Sequence, residues 1–472
     1  MNCRYLLVIP CLAVCFQASA QQDCSGLRPQ EVARCHVEKV RQAPLQYQLE
    51  QKTPARGYTL YQYRMTSQTW APEPVVEPRL WEHRVELYVP DAASQEKALL
   101  VVNNGVRLGE EQQTPDYSSE ALSAVAVQTQ TVVAMISDVP NQYVTFSDAQ
   151  APMREDYAVA HTWAHSLRSE AAAPELPLHV PMAAAASRAM DLTSEALPEL
   201  RIERFIITGA SKRGWSAWLT AMADERVIAI VPGVIDVADT TDMLAGLRKR
   251  YGGAWPLALW PYQAAGVLQQ LGSPAFERLM GLMDPMQYLD EPGARLEIPK
   301  YLVSASGDDF FAPDHATDYL QRLPGQTSLR VLPNSDHGGV RAHVATTLVP
   351  FVQRIQAGRP LPGVQVLPGE EVGRLQVRLS EMPVAVKVWT AHNGEDRDFR
   401  YACGVRYTSR TLVPGEAFSL DWTAPSQGWQ ARFVEAQFAD GFVATSPVTV
   451  LPETFPTHPP KDNGQACRTF PN

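Results

Sequence analysis

The chain has 472 residues, of which 45% are hydrophobic and 19% are charged. This balance is ordinary for a folded protein and argues against extended disorder, and the length predicts two domains or one large domain with an appendage. The 41 basic and 51 acidic residues give a formal net charge of -10, so the sequence lacks the basic surface to which nucleic acids and anionic membranes bind.

The first twenty residues have the pattern of a secretory signal peptide. Arg4 gives a positive start, an apolar run follows from Tyr5 to Phe16, and Ala18-Ser19-Ala20 offers the small residues that a signal peptidase recognises. The apolar run is too short to span a bilayer as a mature helix, and no other stretch is long and apolar enough. We therefore expect residues 1–20 to be cleaved after Ala20, which gives a periplasmic or secreted protein without an integral membrane segment.

Four of the seven cysteines lie outside this leader. An even number of cysteines in an exported protein predicts disulfides, although four cysteines allow three pairings. Because two cysteines lie near each end of the chain, we favour Cys24–Cys35 and Cys403–Cys467. No CxxC motif or cysteine and histidine spacing indicates zinc, so we expect neither a metal nor another cofactor.

After a polar N-terminal arm at residues 21–58, with a helix expected around Arg28–Arg41, the chain alternates between strand-like and helical segments. Glu82–Val89 alternates polar and apolar residues, as a half-buried strand does. Continuous apolar runs predict buried strands at Ala98–Val102, Thr131–Ile136, Phe205–Thr208, Val227–Val231, Tyr301–Ala305 and Ser328–Leu332. Helical patterns separate most of these runs, which predicts an α/β domain over residues 59–360 with a mainly parallel sheet covered on both faces.

Residues 240–295 interrupt this alternation. They have a helical pattern and include the aromatic residues Trp255, Trp260 and Tyr262. Because the segment lies between two predicted strands, it should lie above the carboxyl edge of the sheet, where ligands bind. We expect a cap whose aromatic side chains bind substrate; the alternative is an appendage that only packs on the core.

After Pro360 the strand-like segments are short and have no helices between them. They are Leu375–Leu379, Val384–Trp389, Phe418–Trp422, Gln430–Phe438 and Pro447–Leu451. Short strands separated by proline and glycine turns predict a small β-sandwich over residues 361–455, followed by a C-terminal tail at residues 456–472.

The strongest chemical motif runs from Phe205 to Trp215, where an apolar strand leads into Gly209-Ala210-Ser211 and then into a segment that can begin a helix. A nucleophile elbow needs small neighbours because its serine lies on a sharp, strained turn, and the helix that follows favours a developing oxyanion. The usual spacing is G-x-S-x-G, but here Arg213 takes the last glycine position and Gly214 follows it. The alternative is a small-residue turn that packs a helix on a sheet.

Residues that can complete a catalytic triad follow Ser211 in the order acid and then histidine, as α/β-hydrolases require. His337 lies in a polar loop after the last strand of the predicted α/β domain, where the general base is expected. The acid is Asp308 or Asp309, which follow an apolar strand; Asp236, at the end of an earlier strand, is a third candidate. We place them in the order Asp308, Asp309, Asp236.

Backbone amides are expected to form the oxyanion hole. One donor is the N–H of Lys212, and the other comes from Gly105 or Val106 in the loop after the strand that ends at Val102. Lys212 and Arg213 also bring positive charge close to the serine. They either bind a carboxylate-bearing substrate or pair with neighbouring acids.

A set of short motifs points to a known family. The motifs are Thr145-Phe-Ser-Asp148, Arg154-Glu-Asp156, Gly209-Ala-Ser-Lys-Arg-Gly-Trp215, Val231-Pro-Gly-Val-Ile-Asp236, Gly307-Asp-Asp-Phe-Phe-Ala-Pro-Asp314, Asn334-Ser-Asp-His-Gly338, Arg397-Asp-Phe-Arg400 and Gly428-Trp429. With them the chain resembles the PhoPQ-activated pathogenicity-related proteins over roughly residues 30–455. The resemblance implies an α/β-hydrolase core and a C-terminal β domain. The family's acid loop usually reads Gly-Asp-Glu-Phe-Phe, which places its aspartate at Asp308, whereas Asn103-Asn104-Gly105 departs from the glycine-rich stretch expected near the oxyanion hole.

These expectations describe an exported serine hydrolase that transfers an acyl group from a small ester or peptide substrate to water. Ser211 attacks the carbonyl carbon, His337 shuttles the proton and Asp308 orients His337. The competing interpretation is a non-catalytic binding or virulence protein that keeps the hydrolase scaffold, because fold does not determine function. The sequence leaves the natural substrate, the type of bond and the oligomeric state open.

Overall fold

The computed structural model describes residues 24–70, 76–106, 113–169, 173–291, 295–371, 373–462 and 464–471. The predicted signal peptide lies outside these ranges. The described helices are α1 (Pro29–Arg41), α2 (Ser119–Thr129), α3 (Glu155–Arg168), α4 (His179–Ala196), α5 (Lys212–Ala223), α6 (Thr240–Arg250), α7 (Trp260–Ala264), α8 (Pro274–Met283), α9 (Ala316–Tyr319) and α10 (Val344–Ala357). Within the described ranges, no helix has the length and apolarity needed to cross a bilayer.

The strands follow the same chain order. They are β1 (Gln46–Ala55), β2 (Tyr58–Thr69), β3 (Val76–Glu77), β4 (Leu80–Pro90), β5 (Lys97–Val102), β6 (Val132–Ile136), β7 (Thr145–Phe146), β8 (Arg204–Ala210), β9 (Val227–Gly233), β10 (Trp255–Pro256), β11 (Lys300–Ala305), β12 (Thr327–Leu332), β13 (Val364–Pro368), β14 (Arg374–Leu379), β15 (Ala385–Asn393), β16 (Thr408–Leu412), β17 (Ala417–Asp421), β18 (Trp429–Gln437), β19 (Val443–Thr445), β20 (Thr449–Leu451) and β21 (Thr469–Phe470).

One large mixed sheet organises the core, in the order β1-β2-β4-β6-β5-β8-β9-β11-β12. The strands from β6 to β12 in this order pair in parallel, whereas β1, β2 and β4 pair antiparallel. Helices α1, α4 and α5 pack on one face, and α2 and α10 pack on the other, so the sheet separates two apolar cores. This arrangement is the α/β-hydrolase fold, which confirms the predicted fold class.

The strand order places the loops that carry the candidate chemistry next to one another. β6 follows β5 on one side, and the chain then crosses back to place β8 on the other side of β5. The carboxyl ends of β5 and β8 therefore adjoin at the point where the strand order reverses. Ligands bind at such a point in open α/β sheets.

Residues 21–58 are more than the arm expected from their polar sequence. Their described part contributes α1, whose apolar side packs on α4, α5 and α8, and β1, the edge strand of the large sheet. Val32 and Val37 of α1 are buried in the core. A disulfide between Cys24 and Cys35, with an S–S distance of 2.07 Å, ties the start of the described chain to α1.

The C-terminal part contains two antiparallel sheets, β13-β14-β17 and β16-β15-β18-β19, with β20 paired to β18. Val377 and Val434, one from each sheet, belong to the same buried cluster, as in a β-sandwich. β19 covers the edge strand β12 of the large sheet, where the Val331 amide donates to Thr445 Oγ1 at 3.0 Å. The sandwich therefore protects an edge that would otherwise be open to another strand.

The tail attaches to the insertion between β9 and β11. Its strand β21 pairs antiparallel with β10 of the insertion. The second disulfide joins Cys403 to Cys467 with an S–S distance of 2.00 Å. Both disulfides have the pairing that the sequence favoured.

Candidate active site

Ser211 occupies the sharp turn between β8 and α5. Its backbone has φ 57° and ψ -130°, a combination that costs free energy for any residue with a Cβ and persists only where the surroundings hold it. The Ser211 amide donates to the carbonyl of Gly233 at 2.8 Å, which anchors the turn to β9. The turn therefore has the strained backbone that a nucleophile elbow requires, and the nucleophilic role of Ser211 stays a prediction.

Two glycines allow α5 to pack directly against β8. A Cβ on Gly209 would lie 2.5 Å from the carbonyl oxygen of Arg213, and one on Gly214 would lie 2.8 Å from the carbonyl oxygen of Gly209. Gly214 therefore faces Gly209 across the turn. This contact explains why a glycine is present one position later than in the usual motif.

Gly209→Ala is expected to lower the free energy of unfolding by about 1–3 kcal/mol, because the added methyl group meets rigid backbone. Urea denaturation followed by circular dichroism measures the change. Gly363→Ala is the matched control, since a Cβ there meets no atom within 4 Å. Equal stability of the Gly209 variant and the control would contradict the tight contact at the elbow.

His337 and Asp308 form a hydrogen-bonded pair at the ends of neighbouring strands. Asp308 lies in the loop after β11, and His337 begins the short 3-10 helix after β12. His337 Nδ1 lies 3.0 Å from Oδ1 and 2.9 Å from Oδ2 of Asp308. Burial lowers the pKa of His337, but the charge and hydrogen bond of Asp308 outweigh it, and the net pKa is raised above the ordinary value.

This pairing leaves the other ring nitrogen of His337 available. With the Nδ1 proton directed at Asp308, Nε2 is the acceptor of the neutral ring, and it is buried without a hydrogen-bond partner among the described residues. The ring packs beside Phe310, with 4.6 Å between centroids, and Phe310 lines the same cavity as Ser211. Ser211 and His337 are not hydrogen-bonded to each other in the described structure; such bonds are often long before substrate binds.

The two alternative acids make no hydrogen bond to His337. Burial and the neighbouring Asp308 raise the pKa of Asp309 to about 6. Burial also raises the pKa of Asp236, and the charge of His315 opposes this effect in part. Of the three candidate acids, Asp308 is therefore the one that hydrogen-bonds to His337.

Acids at the start of α3 neutralise the positive charges beside Ser211. Lys212 Nζ lies 2.7 Å from Glu155 Oε2 and 3.2 Å from Asp156 Oδ2, and Arg213 lies 2.6 Å from Glu155 Oε1. Although burial raises the pKa of Glu155, the charges of Arg213 and Lys212 hold it well below its ordinary value. The two basic residues thus pair with neighbouring acids and join α5 to α3.

The predicted oxyanion donors lie at the ends of the adjacent strands β8 and β5. The Lys212 amide is in the first turn of α5, where backbone N–H groups have no hydrogen-bond acceptor within the helix. Gly105 has φ 154°, and a Cβ there would collide with Asp138. Its carbonyl accepts a hydrogen bond from Gln142 Nε2 at 2.6 Å, and Val106 is the last described residue of this loop. A role of these amides in holding an oxyanion stays a prediction.

A largely apolar cavity of about 50 Å³ opens beside Ser211. The insertion and the core both line it, with side chains that include Met243, Leu244, Leu259, Tyr262, Val267 and Leu268 from the insertion and Trp163, Trp215, Phe310 and Phe311 from the core. Its polar lining includes Asp156, which accepts a hydrogen bond from the Tyr262 hydroxyl at 3.1 Å. The insertion therefore lines a pocket above the elbow.

Of the three aromatic residues expected to bind substrate, only Tyr262 lines this cavity. Trp255 is buried in β10, which pairs with β21, and Trp260 packs edge-on against Phe470 with 5.4 Å between ring centroids. The tail covers this side of the insertion, so both tryptophans contact it rather than the cavity. We therefore leave Trp255 and Trp260 out of the candidate site.

The stretch of sequence that contains the candidate site matches one protein family. A sequence profile of the PhoPQ-activated pathogenicity-related protein family matches residues 33–400. Autocrine proliferation repressor protein A of Dictyostelium discoideum is 29% identical over 434 residues, which make up 84% of this chain and 86% of that protein. The family match includes Ser211, Asp308 and His337.

Among solved structures, two enzymes illustrate the structural likeness. An acetyl xylan esterase from Paenibacillus sp. R4 is 15% identical with a TM-score of 0.46, over 69% of this chain and 92% of that chain. An S-formylglutathione hydrolase from Agrobacterium tumefaciens is 15% identical with a TM-score of 0.41, over 66% of this chain and 99% of that chain.

Proposed function

The chain belongs to the PhoPQ-activated pathogenicity-related protein family, and we propose that it is a serine hydrolase that transfers an acyl group to water. The observation that carries this proposal is the pair of His337 and Asp308. A buried carboxylate holds Nδ1 of the ring, and no residue in the described part of the chain hydrogen-bonds to Nε2, so this nitrogen is available to accept a proton as a general base does. Ser211, on its strained elbow at the same edge of the sheet, supplies the nucleophile.

In the proposed mechanism, Ser211 Oγ attacks the substrate carbonyl carbon while His337 Nε2 takes the hydroxyl proton. The developing oxyanion is held by the amide of Lys212 and an amide of Gly105 or Val106. His337 then gives its proton to the leaving alcohol or amine as the bond to the acyl carbon breaks. A water molecule, deprotonated by His337, then attacks the acyl carbon. The bond from Ser211 Oγ to this carbon breaks, His337 returns the proton to Oγ, and the carboxylic acid leaves. Asp308 orients the ring and stabilises its protonated form throughout.

The cavity supports a substrate with a compact, apolar acyl part. A single water needs at least about 10–15 Å³ of such space, so a cavity of about 50 Å³ takes only a small group. Aromatic and aliphatic side chains make up most of its lining, and its charged members Lys212 and Asp156 are paired to each other. The leaving group, an alcohol or an amine, would lie outside this cavity.

Covalent labelling with a fluorophosphonate probe tests the proposed function directly. Wild-type protein is expected to be labelled because the probe phosphonylates an activated serine, and Ser211→Ala is expected to remain unlabelled. Ser216→Ala is the matched control, since Ser216 lies on the same helix and its hydroxyl donates only to the Lys212 carbonyl. Absence of labelling in folded wild-type protein would refute the triad.

A second candidate function is non-catalytic binding of a ligand in the same cavity. The name of the Dictyostelium relative favours it, because that name describes repression of proliferation rather than a reaction. The labelling experiment separates the two candidates, because a binding protein needs no activated serine.

We also propose that the protein is exported. The two disulfides support this, since such bonds persist in oxidising compartments, and so does the leader pattern of residues 1–20. Mass spectrometry of the protein recovered from its native host tests the proposal. The expected N-terminus is Gln21, and recovery of an uncleaved chain would contradict it.

A further inference from the structure

A second cluster of chemically active side chains lies outside the cavity lining. Asp148 follows β7, and His161 and His165 lie one turn apart on α3. His161 Nε2 lies 3.0 Å from Asp148 Oδ1, and His165 Nε2 lies 2.6 Å from Oδ2. The three donor atoms all lie within 4.8 Å of one another. One carboxylate thus faces two imidazole nitrogens.

We propose that Asp148, His161 and His165 bind a divalent transition-metal ion of the zinc type. Imidazole nitrogen and carboxylate oxygen are ligands that Zn²⁺ takes in proteins, and two histidines at positions i and i+4 present their rings on one side of a helix. Tetrahedral coordination, with bonds near 2.0–2.1 Å, separates ligand atoms by about 3.3 Å. The distances from His161 Nε2 and His165 Nε2 to the carboxylate, 3.0 and 2.6 Å, are shorter than this value, and the three ligand atoms lie within 4.8 Å of one another, so the side chains must move apart slightly to admit an ion between them.

The surroundings of the cluster suit a metal site. The side chains of Asp148, His161 and His165 are 40%, 15% and 22% exposed, so an ion can enter from solvent. The ring of Phe146 packs on that of His161, with 4.4 Å between centroids, which limits rotation of this ligand. Three protein ligands leave the fourth tetrahedral position to water or to a small anion.

The expected effect of the metal is to clamp the segment after β7 onto α3. The same helix carries Glu155 and Asp156, which pair with Lys212, and Trp163, which lines the cavity. Trp163 lies between the two histidines in sequence. A bound ion would therefore stabilise a helix that supports the candidate active site, without contacting the cavity itself.

Calorimetric titration of tag-free, metal-free protein with ZnCl2 tests the proposal. Wild type is expected to bind one equivalent, and His161→Ala and His165→Ala are expected to weaken binding at least about 10-fold, since even loss of an outer partner of a ligand costs that much. His392→Ala is the matched control, because His392 is exposed and bonds to the backbone carbonyl of Gln427. It should bind as wild type does.

A thermal-shift measurement provides a second readout. Zn²⁺ should raise the melting temperature of wild type and of His392→Ala, because an ion that binds the folded state stabilises it. Zn²⁺ should leave the melting temperature of Asp148→Asn unchanged. Asparagine keeps the size of the side chain, so this variant tests the site even if an alanine variant fails to fold. No binding by wild type, or binding by Asp148→Asn and His165→Ala as tight as that of wild type, would overturn the proposal.

Discussion

His337→Ala is expected to lower kcat/KM for a small ester by about 10⁴- to 10⁶-fold, the loss seen when the base of a serine triad is removed. The physical reason is that Ser211 keeps its proton in the absence of a base and is then a weak nucleophile. Initial rates with p-nitrophenyl acetate measure the effect. Labelling of the variant by the fluorophosphonate probe should fall in parallel.

Two further variants separate loss of the base from loss of structure. Asp308 is almost completely buried. His337→Ala removes a hydrogen-bond partner of this carboxylate, and the free energy of unfolding should therefore fall. His337→Gln retains an N–H donor for Asp308 but supplies no base, and should be as inactive as alanine. His343→Ala, at the end of the same short helix, should keep wild-type activity. Turnover close to wild type in both His337 variants would remove His337 from the mechanism.

The parallel part of the sheet could be predicted because its strands are buried on both faces. β5, β6 and β8 therefore appear in the sequence as continuous apolar runs, and each begins or ends within two residues of its expected bounds. The β1–β2 hairpin could not be predicted in this way, since every residue of β1 is exposed and only two of its residues, Tyr47 and Leu49, are large and apolar. α4 was missed for the opposite reason, because every residue from His179 to Thr193 is buried, so this helix has no exposed polar face to mark it in the sequence.

The candidate triad could be predicted from the sequence because each member lies shortly after a strand of its own. Strand order then brings Asp308 to His337, and only the side-chain geometry separates Asp308 from Asp309. The cavity lining was harder to predict, since it depends on contacts between distant segments. Trp260 and Tyr262 are two positions apart in sequence, yet Trp260 packs on Phe470 of the tail, whereas Tyr262 lines the cavity. Phe310 and Phe311 could have been predicted to line the cavity, because they follow Asp308 and Asp309 directly in sequence.

Asp308→Asn is expected to lower kcat by about 10⁴-fold, because an amide cannot hold the ring in the required tautomer or stabilise its protonated form. Asp309→Asn and Asp236→Asn are the matched controls, since each removes one carboxylate, partly buried at Asp309 and buried at Asp236, that makes no hydrogen bond to His337. Their losses should be far smaller. The three variants have side chains of the same size as wild type, so circular dichroism should show the same fold.

The pH profile distinguishes a positioning acid from one that only supports the fold. His337 acts as a base when neutral, so kcat/KM of wild type should rise with pH as the ring loses its proton, with a midpoint above the ordinary histidine pKa of 6.5 because Asp308 raises it. Asp308→Asn removes the charge that chiefly raises the pKa of the ring, while burial still lowers it, so the residual activity should rise at a lower pH than in wild type. Asp309→Asn should leave the midpoint near its wild-type position, since the bond between His337 and Asp308 is kept. If Asp309→Asn or Asp236→Asn showed the larger loss together with the downward shift, the acid would have to be reassigned to that residue.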